Sequence, residues 1–220
     1  MFTPFLKNYH TYTSKDHPDT LSLIVFINPL NCNFDCYNCH NKKAIKEDIN
    51  ASNLLYENSD YILEKYTLED FLNLVNESKK LGIELLIISG GEPLFDDSVI
   101  NFLKEHREKI ELPIRIDTNG FYPEKMLYLK ENNLVDGFCL DIKIPIKNEY
   151  QKDEIVKIEK FLGKKNITCE YSTKFRESVK LISGMKYSHI RIGYVYYYIH
   201  YSNEELDKIP WFDEINKQYY

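Results

Sequence analysis

Asn31-Cys32-Asn33-Phe34-Asp35-Cys36-Tyr37-Asn38-Cys39-His40 carries three cysteines at C-x3-C-x2-C spacing. The apolar run Leu23-Ile24-Val25-Phe26-Ile27 just before it reads as a strand. The cysteines therefore sit on a loop at a strand end. Three soft thiolates on one short loop suit one corner of an iron–sulfur cube. A complete [4Fe–4S] cluster normally takes four cysteines, and no fourth follows at a usable spacing, so one iron would stay open. An open metal position is a mark of catalysis rather than of structure. The alternative is a zinc knuckle from Cys32, Cys36, Cys39 and His40, since zinc accepts a Cys3His set.

The 220 residues are enough for one domain with a sizeable core. Hydrophobic residues make up 43%, which suits a globular chain and not a disordered one. A net charge of −6 disfavours broad electrostatic binding to nucleic acid or to an anionic membrane. It leaves room for a small acidic ligand in a locally basic pocket. No run of apolar residues is long enough to span a membrane, and residues 1–20 lack the apolar core of a signal peptide. Five cysteines, three of them clustered, point to metal chemistry in a reducing cytoplasm rather than to a disulfide framework.

Strand-like and helix-like segments alternate along the chain. Residues 1–20 read as an N-terminal arm, and about 42–66 as a polar insertion after the cysteine loop. Thr67 looks like an N-cap, and its helix should stop at Leu81-Gly82. Leu85, Leu86, Ile87 and Ile88 form a continuous apolar run suited to a parallel strand buried on both faces. Further strands are expected at Ile114–Asp117, Gly137–Lys143, Ile167–Tyr171 and Ile190–Tyr198. Helices are expected near Asp97–Arg107, from Pro123 and over Lys152–Phe161. About six strand–helix units argue for an α/β fold with parallel strands and outer helices.

Three further motifs fall at strand ends. In Ser89-Gly90-Gly91-Glu92-Pro93, glycines let the backbone approach a ligand closely, and a carboxylate can accept hydrogen bonds from an ammonium group. A plain glycine-rich turn is the competing reading. In Asp117-Thr118-Asn119-Gly120, the first two residues offer hard oxygens suited to a hydrated cation or to a ribose or carboxylate contact. Asn119 and Gly120 read as the turn itself. In Leu140-Asp141-Ile142-Lys143, Asp141 and Lys143 share one strand face, where they can meet a ligand or simply pair with each other. Cys139 shares that face and reads as a small buried residue.

Taken together, these motifs resemble the radical S-adenosylmethionine (radical SAM) superfamily. Cys39-His40-Asn41, G-G-E-P, D-T-N-G and D-x-K resemble its glycyl-radical enzyme activases in particular, above all the activating protein of anaerobic ribonucleoside-triphosphate reductase. The resemblance is clearest over about residues 20–145. It implies a partial (β/α)6 barrel over a single domain, 1–220, with the chemistry at the C-terminal ends of the strands. It implies that Cys32, Cys36 and Cys39 bind the [4Fe–4S] cluster, whose open iron chelates S-adenosylmethionine and whose electron yields a 5′-deoxyadenosyl radical. It places Gly90, Gly91 and Glu92 at the methionine amine, and Asp117, Thr118, Asp141 and Lys143 at its carboxylate or ribose. The family often has an aromatic residue where Asn38 stands, with Tyr37 one place earlier here; the backbone around Asn38 and His40 would meet the adenine.

The implied partners are a glycyl-radical enzyme and a flavodoxin- or ferredoxin-type reductant. A radical SAM enzyme acting on a small molecule, such as a 7-carboxy-7-deazaguanine synthase-like enzyme, is the second reading. A non-catalytic zinc or electron-transfer module is the third. In Tyr194-Val195-Tyr196-Tyr197-Tyr198-Ile199-His200-Tyr201, alternate tyrosines and His200 share a strand face, as a substrate wall or as an aromatic edge strand.

Overall fold

The computed structural model of the protein describes residues 2–37, 39–46 and 63–192. The chain forms two compact units, Met1–Pro113 and Ile114–Tyr220.

In the first unit, β1 (Phe2–Thr13), β2 (Ser22–Ile27), β3 (Lys65–Thr67) and β4 (Leu85–Ser89) lie in the order β3-β1-β2-β4. β2 and β4 are parallel, with Ser22 opposite Leu85 and Phe26 opposite Ser89. Leu85, Leu86, Ile87 and Ile88 are all fully buried, as a doubly covered parallel strand requires. The helices are α1 (40–46), α2 (Leu68–Lys80) and α3 (Ser98–His106). α2 starts where Thr67 accepts the Asp70 N–H at 3.1 Å, and ends with the Leu81 N–H on the Glu77 carbonyl. Gly82 then takes the left-handed φ of +90°.

The N-terminal arm is a finding against expectation. It is strand β1, antiparallel to both β2 and β3, and it bends between Phe5 and His10 where its register shifts. Its Phe5 is fully buried and stacks on Phe71 of α2 at 4.7 Å, with Phe102 of α3 edge-on at 5.0 Å. These ring contacts are long-range, so charges and a proline in the local sequence hid the strand.

In the second unit, β5 (Ile114–Thr118), β6 (Gly137–Ile142) and β7 (His189–Ile192) are parallel in the order β5-β6-β7. α4 (Pro123–Glu131) joins β5 to β6, and α5 (Lys152–Leu162) and α6 (Glu170–Ile182) lie between β6 and β7. Here too one expectation fails: Ile167–Tyr171 is not a strand. Cys169, inside that expected strand, instead caps α6 and is partly exposed. Buried Tyr171, Ser172, Phe175, Ser178, Val179 and Ile182 recur at helical spacing, and that longer period overrides the short β-branched start.

Parallel strands joined through helices give the α/β fold expected of a partial radical SAM barrel. Among the described residues no helix is long and apolar enough to cross a membrane. Most of the expected insertion, Asn38, and the tyrosine run with His200 lie outside the described residues.

Candidate functional site

In the first unit, β2 ends at Ile27 and the chain turns at once. The Asn28 side-chain oxygen accepts the Leu30 N–H at 2.9 Å, and the Asn28 carbonyl accepts the Asn31 N–H at 2.9 Å. Cys32 follows, and its sulfur accepts the Phe34 N–H at 3.4 Å. Phe34 is buried, while Lys42 of α1 donates to its carbonyl at 2.7 Å and to Asp35 at 3.0 Å. Cys39 closes the loop with its N–H on the Cys36 carbonyl at 3.2 Å, and its own carbonyl accepts the Lys43 N–H of α1. The loop is therefore anchored at its start, middle and end.

Cys32, Cys36 and Cys39 are free thiols, each partly accessible. Burial raises the Cys32 thiol above its ordinary value; the Phe34 N–H opposes this, and the Glu92 charge adds to it. Among the described residues, no three His, Cys, Asp or Glu side chains are gathered closely enough to hold an ion as they stand. The donor chemistry nonetheless fits an iron–sulfur cluster: three free thiols on one anchored loop, with a backbone N–H directed at one sulfur. His40 is exposed at the start of α1.

The G-G-E-P turn at the end of β4 packs directly on this loop. A Cβ on Gly91 would lie 2.2 Å from the Asn31 carbonyl oxygen, and one on Gly90, at φ +125°, 2.4 Å from that of Ile27. Only glycine fits either place. The Glu92 N–H donates to the Asn31 carbonyl at 2.8 Å, and the Glu92 carboxylate is buried and accepts the Leu94 N–H at 3.1 Å. Asn41 Nδ2 donates to the Gly90 carbonyl at 2.6 Å. The glycines thus serve close contact between two stretches of backbone, and Asn41 is a residue whose positioning role the sequence reading did not assign.

In the second unit, strand alternation puts Arg115 and Asp117 of β5, Cys139 and Asp141 of β6, and His189 and Arg191 of β7 in register on one face. Arg115, fully buried, donates from Nε to Asp117 Oδ1 at 2.9 Å. Arg191 donates from Nη2 to Asp117 Oδ2 at 3.1 Å and from Nε to Asp141 Oδ1 at 2.6 Å. Lys143 Nζ reaches Asp141 Oδ2 at 2.9 Å. Burial pushes the Asp141 carboxyl up, but Lys143 and Arg191 outweigh it and hold it well below the usual carboxylate range. Cys139 is fully buried, with its sulfur 3.2 Å from His189 Nε2. Burial, reinforced by the Asp117 charge, pushes its thiol far up, so it stays protonated at neutral pH.

The neighbouring residues brace these groups. Thr118 Oγ1 accepts the Gly120 N–H at 3.2 Å, and the Asn119 side chain accepts the Phe121 N–H at 3.1 Å, which makes the D-T-N-G end a closed turn. Tyr171 of α6 donates its hydroxyl to the Asn119 carbonyl at 3.0 Å, and the same hydroxyl oxygen accepts the Lys143 N–H at 3.4 Å. Arg115, Arg191 and Tyr171 escaped the sequence reading. The charged pattern I-R-I-D on β5 and the arginine of H-I-R-I on β7 were the available signals.

The Radical SAM superfamily profile matches residues 30–205. A Methanocaldococcus jannaschii protein, provisionally assigned as a glycyl-radical enzyme activating enzyme, is 30% identical over 73% of this chain and 63% of its own length. A 7-carboxy-7-deazaguanine synthase of Clostridium acetobutylicum is 28% identical over 66% of this chain and 58% of its own. A GTP 3′,8-cyclase of Petrotoga mobilis is 31% identical over 47% of this chain and 29% of its own. The chain thus spans less than two thirds of the length of each of these relatives. With a cysteine loop seated on a G-G-E-P turn and a profile match over most of its length, the chain belongs to the radical SAM superfamily, whose members use a [4Fe–4S] cluster and S-adenosylmethionine.

Proposed function

We propose that this protein is a glycyl-radical enzyme activase, most like the activating protein of anaerobic ribonucleoside-triphosphate reductase. The observation that carries the reading is the bond from Asn41 to the Gly90 carbonyl, which gives the C-H-N ending of the cysteine loop a specific task. The D-T-N-G and D-x-K segments and the relative from Methanocaldococcus jannaschii support it.

When bound, the cluster would supply the electron for reductive cleavage of S-adenosylmethionine, the chemistry needed to take a hydrogen atom from a backbone glycine of the partner. Cys32, Cys36 and Cys39 would hold the cluster. The backbone at His40, at the start of α1, would meet the adenine; Asn38, the other residue expected there, lies outside the described residues. Gly90 and Gly91 keep the turn tight against the loop, and the buried Glu92 carboxylate accepts from the methionine ammonium. Asp141 fixes Lys143 through their 2.9 Å bond, so that Lys143 is pre-oriented for a carboxylate or ribose oxygen. Asp117 frames that position through Arg191, which it shares with Asp141, while Thr118 on the opposite strand face closes the turn by accepting the Gly120 N–H. The partner is a glycyl-radical enzyme, the electron donor is of flavodoxin or ferredoxin type, and the setting is an anaerobic cytoplasm.

A radical SAM reaction on a small molecule is the second reading, favoured by the 28% identity to a 7-carboxy-7-deazaguanine synthase. The deciding experiment incubates the loaded protein with S-adenosylmethionine, reductant and an anaerobic ribonucleotide reductase, and follows the reductase by electron paramagnetic resonance. A backbone glycyl radical in the reductase supports the activase. Cofactor cleavage with no protein radical, while 7-carboxy-7-deazaguanine forms from its precursor, selects the second reading.

A further inference from the structure

We propose that Arg191 is a built-in cation: its guanidinium occupies the place beside Asp117 and Asp141 that hard oxygens at the end of β5 would otherwise offer to a hydrated metal ion. A metal at such a site needs about six oxygen ligands, so carboxylate oxygens must be turned toward it. Here all four are taken. Asp117 Oδ1 accepts from Arg115 at 2.9 Å and Asp117 Oδ2 from Arg191 at 3.1 Å. Asp141 Oδ1 accepts from Arg191 at 2.6 Å and Asp141 Oδ2 from Lys143 at 2.9 Å. Thr118, the other hard oxygen of the motif, alternates to the opposite strand face and accepts the Gly120 N–H.

Charge argues the same way. Three cations already face two carboxylates, so an added metal ion would raise an existing positive surplus. The guanidinium is suited to the task because its planar fork reaches two carboxylates on neighbouring strands at once. Arg191 is therefore a positioning residue: it holds Asp117 and Asp141 together, and through Asp141 it sets where Lys143 stands.

The test is thermal unfolding of the full chain in choline chloride, with choline replaced at constant ionic strength by potassium, sodium, magnesium or calcium. Wild type is expected to melt at the same temperature in every salt. Arg191→Met leaves two buried carboxylates short of a partner. It should melt lower by on the order of 10 °C and recover part of that loss in one of the metal salts but not in choline. Arg191→Lys, which keeps the charge, should fold and remain insensitive to metal. A wild-type melting point raised by a specific metal overturns the proposal, even if the Met variant does not fold. So does a folded Met variant that melts like wild type, or whose loss no metal restores. None of these readings depends on cofactor cleavage, so the proposal fails or survives separately from the activase assignment.

Discussion

Asn41 Nδ2 lies 2.6 Å from the carbonyl oxygen of Gly90, and this bond joins the helix after the cysteine loop to the G-G-E-P turn. Backbone contacts reinforce it, because the Glu92 N–H meets the Asn31 carbonyl on the other side of the loop. The loop and the turn therefore form one piece, and damage to the turn should reach the cysteines.

Gly91→Ala tests this coupling. Its new Cβ would lie 2.2 Å from the Asn31 oxygen, so the loop has to move. Iron and sulfide bound after anaerobic reconstitution should fall well below wild type, although no cysteine is altered. Asn41→Ala should do the same more mildly, through the loss of about 1 kcal/mol of hydrogen bonding. Wild-type iron content in both variants would show that the loop is held by other means.

Tyr171→Phe removes the hydroxyl that spans the ends of β5 and β6 at Asn119 and Lys143. The buried Asn119 carbonyl loses this one donor, at a cost of about 1–3 kcal/mol. A fall in Tm of roughly 2–10 °C follows. An unchanged Tm would show that the hydroxyl does not brace the two strand ends.

The depressed Asp141 carboxyl predicts a pH dependence with a defined sign. A carboxyl held below its unfolded value by Lys143 and Arg191 stabilises the fold fully above that value, and loses this as falling pH protonates it. Cys139 on the same strand face stays protonated at neutral pH and adds no charge change there. The Tm gap between wild type and Asp141→Asn should be largest above about pH 5 and should narrow below about pH 4. A gap that widens in acid would contradict the assigned ion pairs.

Thiol reactivity should separate the cysteines. Cys32, Cys36 and Cys39 are partly accessible, whereas Cys139 is fully buried with its thiol held protonated. In the cluster-free protein, iodoacetamide followed by peptide mass mapping should label the loop at least about tenfold faster than Cys139. Equal rates would mean that the β6 face opens in solution.

The cysteine spacing, G-G-E-P and the strand at Leu85–Ser89 are legible in the sequence because each is local: a short motif, a glycine pair, an unbroken apolar run. The helix from Thr67 to Leu81 is equally local, with its cap and stop written beside it. β1 is not, since Phe5 is held by Phe71 and Phe102 from distant helices. Arg191 is not, since its meaning depends on the strand register that sets it beside Asp141. The pairing of Asp141 with Lys143 stood as one of two readings, and their spacing on one strand makes it local.

The central claim is that Cys32, Cys36 and Cys39 hold a cluster that cleaves S-adenosylmethionine. The most direct measurement is 5′-deoxyadenosine formed by the anaerobically reconstituted protein with dithionite, beside Cys32→Ala, Cys36→Ala and Cys39→Ala. A brown protein that makes the product, with loss of product in each variant, is expected. A colourless protein that binds zinc, or product that persists in the variants, would contradict it.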